Sequence, residues 1–233
     1  MKKTLNRILI GLLLLIILLV GAFYIYASDY YRADEVAIAV MQSDAITLVE
    51  DNFIVLSPNT PGDTAIIFYP GAKVEYFSYL PMMEKIMLSS NVTCILVKMP
   101  FNMAIFDSDA ADKIINRFPD IENWYLAGHS MGGAMASDFA SKNQDKIMGL
   151  LLFGAYIYGN YPEENALTVY GSFNTSVEEK INYTENIVVI EGGNHAQFGN
   201  YGKQKGDPDA TISSEEQQNI AVVAVHEFLE QRK

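Results

Sequence analysis

Trp124-Tyr125-Leu126-Ala127-Gly128-His129-Ser130-Met131-Gly132-Gly133-Ala134-Met135-Ala136-Ser137-Asp138-Phe139-Ala140 is the stretch whose reading decides the fold. Its first four residues are apolar and read as a buried strand. Its last seven are rich in alanine and suit a helix. Between them Gly128-His129-Ser130-Met131-Gly132 matches G-x-S-x-G. Strand, sharp turn and helix are the setting that a nucleophile elbow requires. Such a turn forces its serine into a strained backbone conformation. A side chain at Gly128 or Gly132 would then collide with the neighbouring strand or helix. The Ser130 hydroxyl is thereby held out at the top of a sheet, and the helix N-terminus behind it offers unpaired N–H groups to a developing negative charge. A purely structural glycine-rich turn is the competing reading of the bare pattern, so the rest of the chain has to decide.

Outward from this stretch, apolar runs alternate with helical patterns. Strands are expected over residues 46–50, 53–56, 65–69, 92–98, 124–128, 148–153, 167–170 and 187–191, and helices over 76–89, 108–117, 131–142, 176–181 and 214–231. Two opening strands followed by strand–helix alternation imply an α/β fold, with a mostly parallel central sheet of about eight strands flanked by helices. About a dozen residues separate the strands ending near Phe153 and starting near Leu167, which leaves no room for a separate lid domain. The last helix is bounded by a capping box, Ser213 with Glu216, and His226 within it reads as structural.

Residues 8–27 are an unbroken apolar run. At about 1.5 Å per residue, a helix of about 20 residues spans roughly 30 Å, the thickness of a bilayer core. Lys2, Lys3 and Arg7 precede the run, and Asp29, Asp34 and Glu35 follow it, alongside Arg32. The basic flank stays in the cytoplasm and the rest of the chain lies outside. The expected organisation is one transmembrane signal anchor over residues 1–28, a stalk over 29–44 and a single α/β domain over 45–233. A cleaved signal peptide is the alternative and would make the protein secreted, but the run exceeds the usual h-region.

The chain carries a net charge of −12, and all of its 28 acidic residues lie beyond the apolar run. That excludes nucleic acid as a partner and electrostatic docking on anionic lipid, leaving the N-terminal helix as the contact with the membrane. Cys94 is the only cysteine, so no intramolecular disulfide is possible, and its apolar surroundings mark it as a core residue.

A serine hydroxyl is a weak nucleophile until a base takes its proton. The chain has three histidines. His129 adjoins Ser130 on the strand, so its side chain is expected on the other side, out of reach. His226 lies in the last helix. His195 remains, in Gly192-Gly193-Asn194-His195-Ala196-Gln197-Phe198-Gly199, a glycine-rich loop after the last strand. Such loops place catalytic groups at strand C-termini, where open α/β sheets bind ligands.

With these segments in place the chain resembles the α/β-hydrolases, whose active-site order is Ser, acid, His. It is most similar to the small bacterial hydrolases grouped as alpha/beta hydrolase fold-5. The resemblance is carried by Phe68-Tyr69-Pro70-Gly71-Ala72-Lys73-Val74-Glu75, Lys98-Met99-Pro100-Phe101-Asn102, the Ser130 turn and the His195 loop, and it runs from about Ala65 to the C-terminus. It implies that Ser130 and His195 are catalytic. It also implies that the N–H groups of Met131 and Ala72 form the oxyanion hole, with Gly71 letting backbone approach substrate.

The chain departs from the family pattern at the acid. The family's aspartate ends a Gly-Ser/Thr-x-Asp turn after the strand before the histidine strand. Here that turn is Gly171-Ser172-Phe173-Asn174, so Asn174 stands at the acid position. An amide orients an imidazole but does not stabilise imidazolium by charge, and by donating it favours the wrong tautomer. Glu178 and Glu179 follow and are alternative acids, or else solvated helix residues. Tyr156, Tyr158, Tyr161 and Phe101 are candidates to line an open site. Asp207-Pro208-Asp209 is weak evidence for a metal, and no metal or cofactor is implied.

The leading expectation is a membrane-anchored, extracytoplasmic serine hydrolase, a carboxylesterase acting on accessible ester or acyl groups. A surface binding protein on an attenuated hydrolase scaffold is the alternative that Asn174 supports. Acyl transfer is a third reading that the same residues allow.

Overall fold

The computed structural model describes residues 2–232, with only the backbone of Lys2 and Lys3. The apolar run forms one helix, α1 (Lys2–Ser28). Its segment Thr4–Ser28 is long and apolar enough to cross a membrane. From Tyr31 onward the chain folds as a separate compact unit.

That unit is built on eight strands: β1 (Ile46–Val49), β2 (Phe53–Leu56), β3 (Thr64–Tyr69), β4 (Thr93–Val97), β5 (Asn123–His129), β6 (Gly149–Phe153), β7 (Ala166–Gly171) and β8 (Ile187–Ile190). They form one sheet in the order β1-β2-β4-β3-β5-β6-β7-β8. β1 and β2 run antiparallel to their neighbours, and β4, β3 and β5 to β8 are mutually parallel. The central strands are continuous apolar runs because both faces are covered. Ile66 and Phe68 face one core layer and Ile67 and Tyr69 the other, as the period of two in a strand requires.

The short helix α6 (Thr175–Glu178) follows β7. The first layer lies under α3 (Leu80–Ser90) and α7 (Ser214–Glu230). The second lies under α4 (Ala110–Arg117) and α5 (Met131–Lys142). Ser213 caps α7 by accepting the Glu216 N–H at 3.1 Å, which supplies the serine half of the expected capping box. Cys94 is fully buried, and burial pushes its thiol well above the usual range. Only a 3-10 turn, Glu163–Asn165, interrupts the link from β6 to β7, so no lid domain stands there.

The segment expected as a stalk is folded onto the domain from Tyr31. Tyr31 forms a parallel bridge with Val74. Its N–H donates to Lys73 O at 2.7 Å, and its carbonyl accepts the Glu75 N–H at 2.9 Å. The Asp34 N–H donates to Asn200 O at 2.9 Å, and Asp34 caps the short helix α2 (Glu35–Val40), whose Ala37 is fully buried. Composition did not show this, because the partners of the segment, Lys73, Glu75, Asn200 and Tyr201, lie far from it in sequence.

Candidate active site

The strand order doubles back at β3, whose neighbours are β4 on one side and β5 on the other. Ligands of open α/β sheets bind beyond the carboxyl ends of strands at such a switch point. β3 ends there at Tyr69 and β5 at His129, so the loop beginning at Pro70 lies beside Ser130.

Ser130 has φ 53° and ψ −122°, in the left-handed half of backbone space, where a non-glycine residue costs about 1–3 kcal/mol. The surroundings hold it there. The Ser130 N–H donates to Phe153 O at 3.0 Å, and the Ser130 carbonyl accepts the Ala134 N–H at 3.0 Å. A Cβ on Gly128 would lie 2.5 Å from the backbone of Gly132 and Gly133, and one on Gly132 would clash with the carbonyl oxygens of Tyr69 and Pro70. Strand end, helix start and the loop after β3 therefore interlock through glycines. Met131 opens α5, where its N–H has no intrahelical acceptor. Ala72 is half-buried on the neighbouring loop, and among the described residues its N–H has no backbone acceptor.

Ser130, Met131, Tyr156, Asn174, His195 and Asp207 line one cavity of about 650 Å³. Ala72 does not line that cavity. Of the aromatic residues expected at the site, only Tyr156 lines it. Tyr161 is buried, with its hydroxyl on Ile147 O, and Tyr158 and Phe101 are exposed elsewhere.

Asn174 follows β7 and meets His195 directly. Its Nδ2 lies 2.6 Å from His195 Nδ1, and its Oδ1 accepts the Ser176 hydroxyl at 3.0 Å. In this orientation the amide donates, Nδ1 accepts, and the imidazole proton sits on Nε2. A half-turn of the amide reverses this: Oδ1 accepts from Nδ1–H, Nδ2 donates to Ser176, and Nε2 is free to act as a base. Glu178 and Glu179 are both exposed, and neither lines the cavity.

His129 was expected to be out of reach of the site, and it is turned away from the cavity. It nonetheless lies at the centre of a buried network. Its ring centroid is 4.6 Å from that of His195, and its Nε2 is 2.9 Å from the His195 carbonyl oxygen. A carbonyl only accepts, so Nε2 carries the proton. Burial and the nearby His195 push the His129 pKa well below the usual range and keep the ring neutral. Nδ1 is therefore an acceptor, and the Tyr79 hydroxyl donates to it at 2.8 Å. The same hydroxyl accepts the Gly71 N–H at 3.1 Å. The chain Gly71–Tyr79–His129–His195 thus ties the loop bearing Ala72 to the loop bearing the histidine. Gly71 is required for this closeness, since a Cβ there would lie 2.7 Å from His129 Nδ1 and 2.9 Å from the Tyr79 oxygen.

Asp207 is a second residue whose place in the site the sequence left unread. Its Oδ1 accepts the His195 N–H at 3.2 Å and its Oδ2 the Ala196 N–H at 2.8 Å. Asp209, its neighbour in the Asp-Pro-Asp run, instead pairs with exposed Lys203 at 2.6 Å. Burial lowers the His195 pKa, and the Asp207 charge opposes that shift.

The model of the alpha/beta hydrolase family matches residues 65–219 of this chain. A comparison with curated proteins finds no match. Among solved structures, a soluble variant of monoglyceride lipase from Saccharomyces cerevisiae superposes with a TM-score of 0.58 at 11% identity, over 82% of this chain and 96% of that one. An esterase of Pyrobaculum calidifontis gives 0.56 at 13% identity, over 83% and 89%. Est1E from Butyrivibrio proteoclasticus gives 0.55 at 16% identity, over 82% and 96%. At these identities the likeness is one of fold.

Proposed function

Because the chain belongs to the alpha/beta hydrolase family, we propose that it is a serine hydrolase that cleaves carboxylic esters, with Ser130 as nucleophile and His195 as base. The observation that carries this is the strained Ser130 turn opening into a cavity that it shares with His195 and Asn174. A turn that only joined a strand to a helix has no need of a non-glycine residue at φ 53°. That the fold is shared with proteins named esterase and lipase agrees with an ester as substrate.

In the proposed reaction Ser130 Oγ attacks the acyl carbon while its proton passes to His195 Nε2. The oxyanion formed accepts from the N–H groups of Met131 and Ala72, each such donor being worth about 2.7–4 kcal/mol in the transition state. The imidazolium returns the proton to the departing alkoxide. Water then repeats the sequence on the acyl-enzyme. The step requires the Asn174 amide in the orientation that accepts from Nδ1–H. The cavity is open to solvent, which suits an accessible ester or acyl group. The helix Thr4–Ser28 holds the domain to the membrane outside the cytoplasm, and protease digestion of intact and lysed cells tests that topology.

The test is hydrolysis of p-nitrophenyl acetate by the full chain, with labelling by a fluorophosphonate. The expected result is that both are lost in Ser130→Ala. Equal rates in the two proteins with no labelling would refute the reading. One observation favours a second reading, an attenuated scaffold that binds rather than cleaves: the Asn174 amide nitrogen faces His195 Nδ1. That orientation leaves Nε2 protonated and unable to act as a base.

A further inference from the structure

The third residue of a hydrolase site performs two tasks: it orients the imidazole and it stabilises the imidazolium by charge. Asn174 performs only the first. Asp207 is the one carboxylate among the residues lining the cavity. We propose that the two tasks are divided in this protein: Asn174 sets the His195 ring at Nδ1, and Asp207, from the loop that follows His195, supplies the negative charge. This rests on the reading of His195 as the base.

Four observations support the division. First, Asp207 is tied to the residue that it serves, since its two oxygens accept the N–H groups of His195 and Ala196 at 3.2 Å and 2.8 Å. Second, its turn is fastened to the same loop, because the Asp207 N–H donates to Gln204 O at 3.1 Å and Asn194 Nδ2 donates to Pro208 O at 2.8 Å. Third, its charge is not spent on a cation: among the described residues no lysine or arginine forms an ion pair with it. Fourth, the other groups around His195 carry no negative charge. His129 is neutral, Asn174 is an amide, and Lys205 is the one cation lining the cavity. Glu178 and Glu179 are exposed. His195 itself is largely shielded from water, where a nearby charge acts more strongly than in solvent.

During attack the proton leaves Ser130 Oγ for His195 Nε2, and the ring becomes positive while Asp207 stays ionised. No proton moves to Asp207. It is a positioning residue that acts through His195, and it differs from a simple loop clasp in what it does to the titration of the ring.

The experiment uses the full chain in detergent with Asp207→Asn, Asp207→Glu and Asn174→Asp. NMR titration of the His195 imidazole in the Ser130→Ala protein reads the charge without needing turnover. Asp207→Asn is expected to move the titration to lower pH, because removing a negative neighbour disfavours the imidazolium. Asp207→Glu, which keeps the charge, is expected to leave it near the parent. On p-nitrophenyl acetate, Asp207→Asn is expected to lower kcat/KM by about tenfold, less than the 10²–10⁴-fold that a group transferring the proton itself contributes. It is also expected to move the acidic limb of the profile down.

An unmoved titration in folded Asp207→Asn would overturn the proposal, as would equal shifts in Asp207→Asn and Asp207→Glu. Asn174→Asp decides the matter even if no Asp207 variant folds. If Asp207 already supplies charge, the gain in kcat/KM stays well below the about 10⁴-fold that separates Asp from Asn in a protease triad. A gain of that full size would sink the idea. A His195 titration that answers to Asp207 in a protein without Ser130-dependent turnover would refute the hydrolase reading and leave the charge assignment standing.

Discussion

Replacing Tyr79 by phenylalanine removes one oxygen and breaks two hydrogen bonds, from the Gly71 N–H at 3.1 Å and to His129 Nδ1 at 2.8 Å. Tyr79 is fully buried and His129 is 1% exposed, so water does not replace the lost partner. Each buried polar group left unsatisfied costs about 1–3 kcal/mol. The two together predict a loss of about 2–6 kcal/mol, or roughly 4–24 °C in Tm for a domain of this size. The assay is urea unfolding of the full chain followed by fluorescence. Trp124 is the only tryptophan and is buried near the start of β5, so its signal reports on unfolding of the central sheet. Tyr76→Phe is the control, because among the described residues the Tyr76 hydroxyl makes no hydrogen bond, and its loss is expected to stay within about 0.5 kcal/mol. A Tyr79→Phe loss no larger than that control would refute the network. The same variant frees the His129 ring that holds the His195 carbonyl, so kcat is expected to fall more than KM rises.

Three further outcomes are expected. Stability falls as pH drops below about 6.5, because His129 and His195 have lowered pKa values when folded and take up protons only on unfolding. The slope of unfolding free energy between pH 7 and 5 should therefore lessen in His129→Gln, and an unchanged slope would count against a neutral buried His129. Gly132→Ala should abolish Ser130 labelling, since its Cβ meets the carbonyls of Tyr69 and Pro70 and can be accommodated only by displacing the loop that bears Ala72. Retained labelling would show that the turn is looser than its geometry implies. Ser213→Ala removes the cap on the Glu216 N–H and should cost about 1 kcal/mol in urea unfolding with turnover intact.

Much of the architecture is written locally in the chain. Apolar runs bounded by turn residues locate all eight strands within a few residues, and the six inner ones are continuous because both of their faces are covered. The glycines around Ser130 are legible for a similar reason, since the crowding that demands them is created within a few residues of the turn. The expected helix over 76–89 begins instead as a 3-10 turn, Tyr76–Tyr79, before α3. That turn buries Tyr79 beneath the Ser130 strand, and no local pattern announces it. A polar residue within an apolar strand end was the available hint for His129, and it pointed toward a buried partner that only the fold could name.

The family resemblance implied that Asn174 and His195 join Ser130 at strand ends. The sequence by itself determined the α/β class, the strand–turn–helix around Ser130 and an apolar N-terminal helix. Each depends on residue type and spacing over short range. Tertiary structure alone decided that His129 clasps the His195 loop through Tyr79 and Gly71, that Asp207 rather than Glu178 or Glu179 stands beside His195, and that residues from Tyr31 are bound to the loop after β3. The physical reason is common to all three. A hydrogen bond between residues far apart in sequence depends on how helices and loops stack on the sheet, and that geometry leaves no periodic mark in the chain.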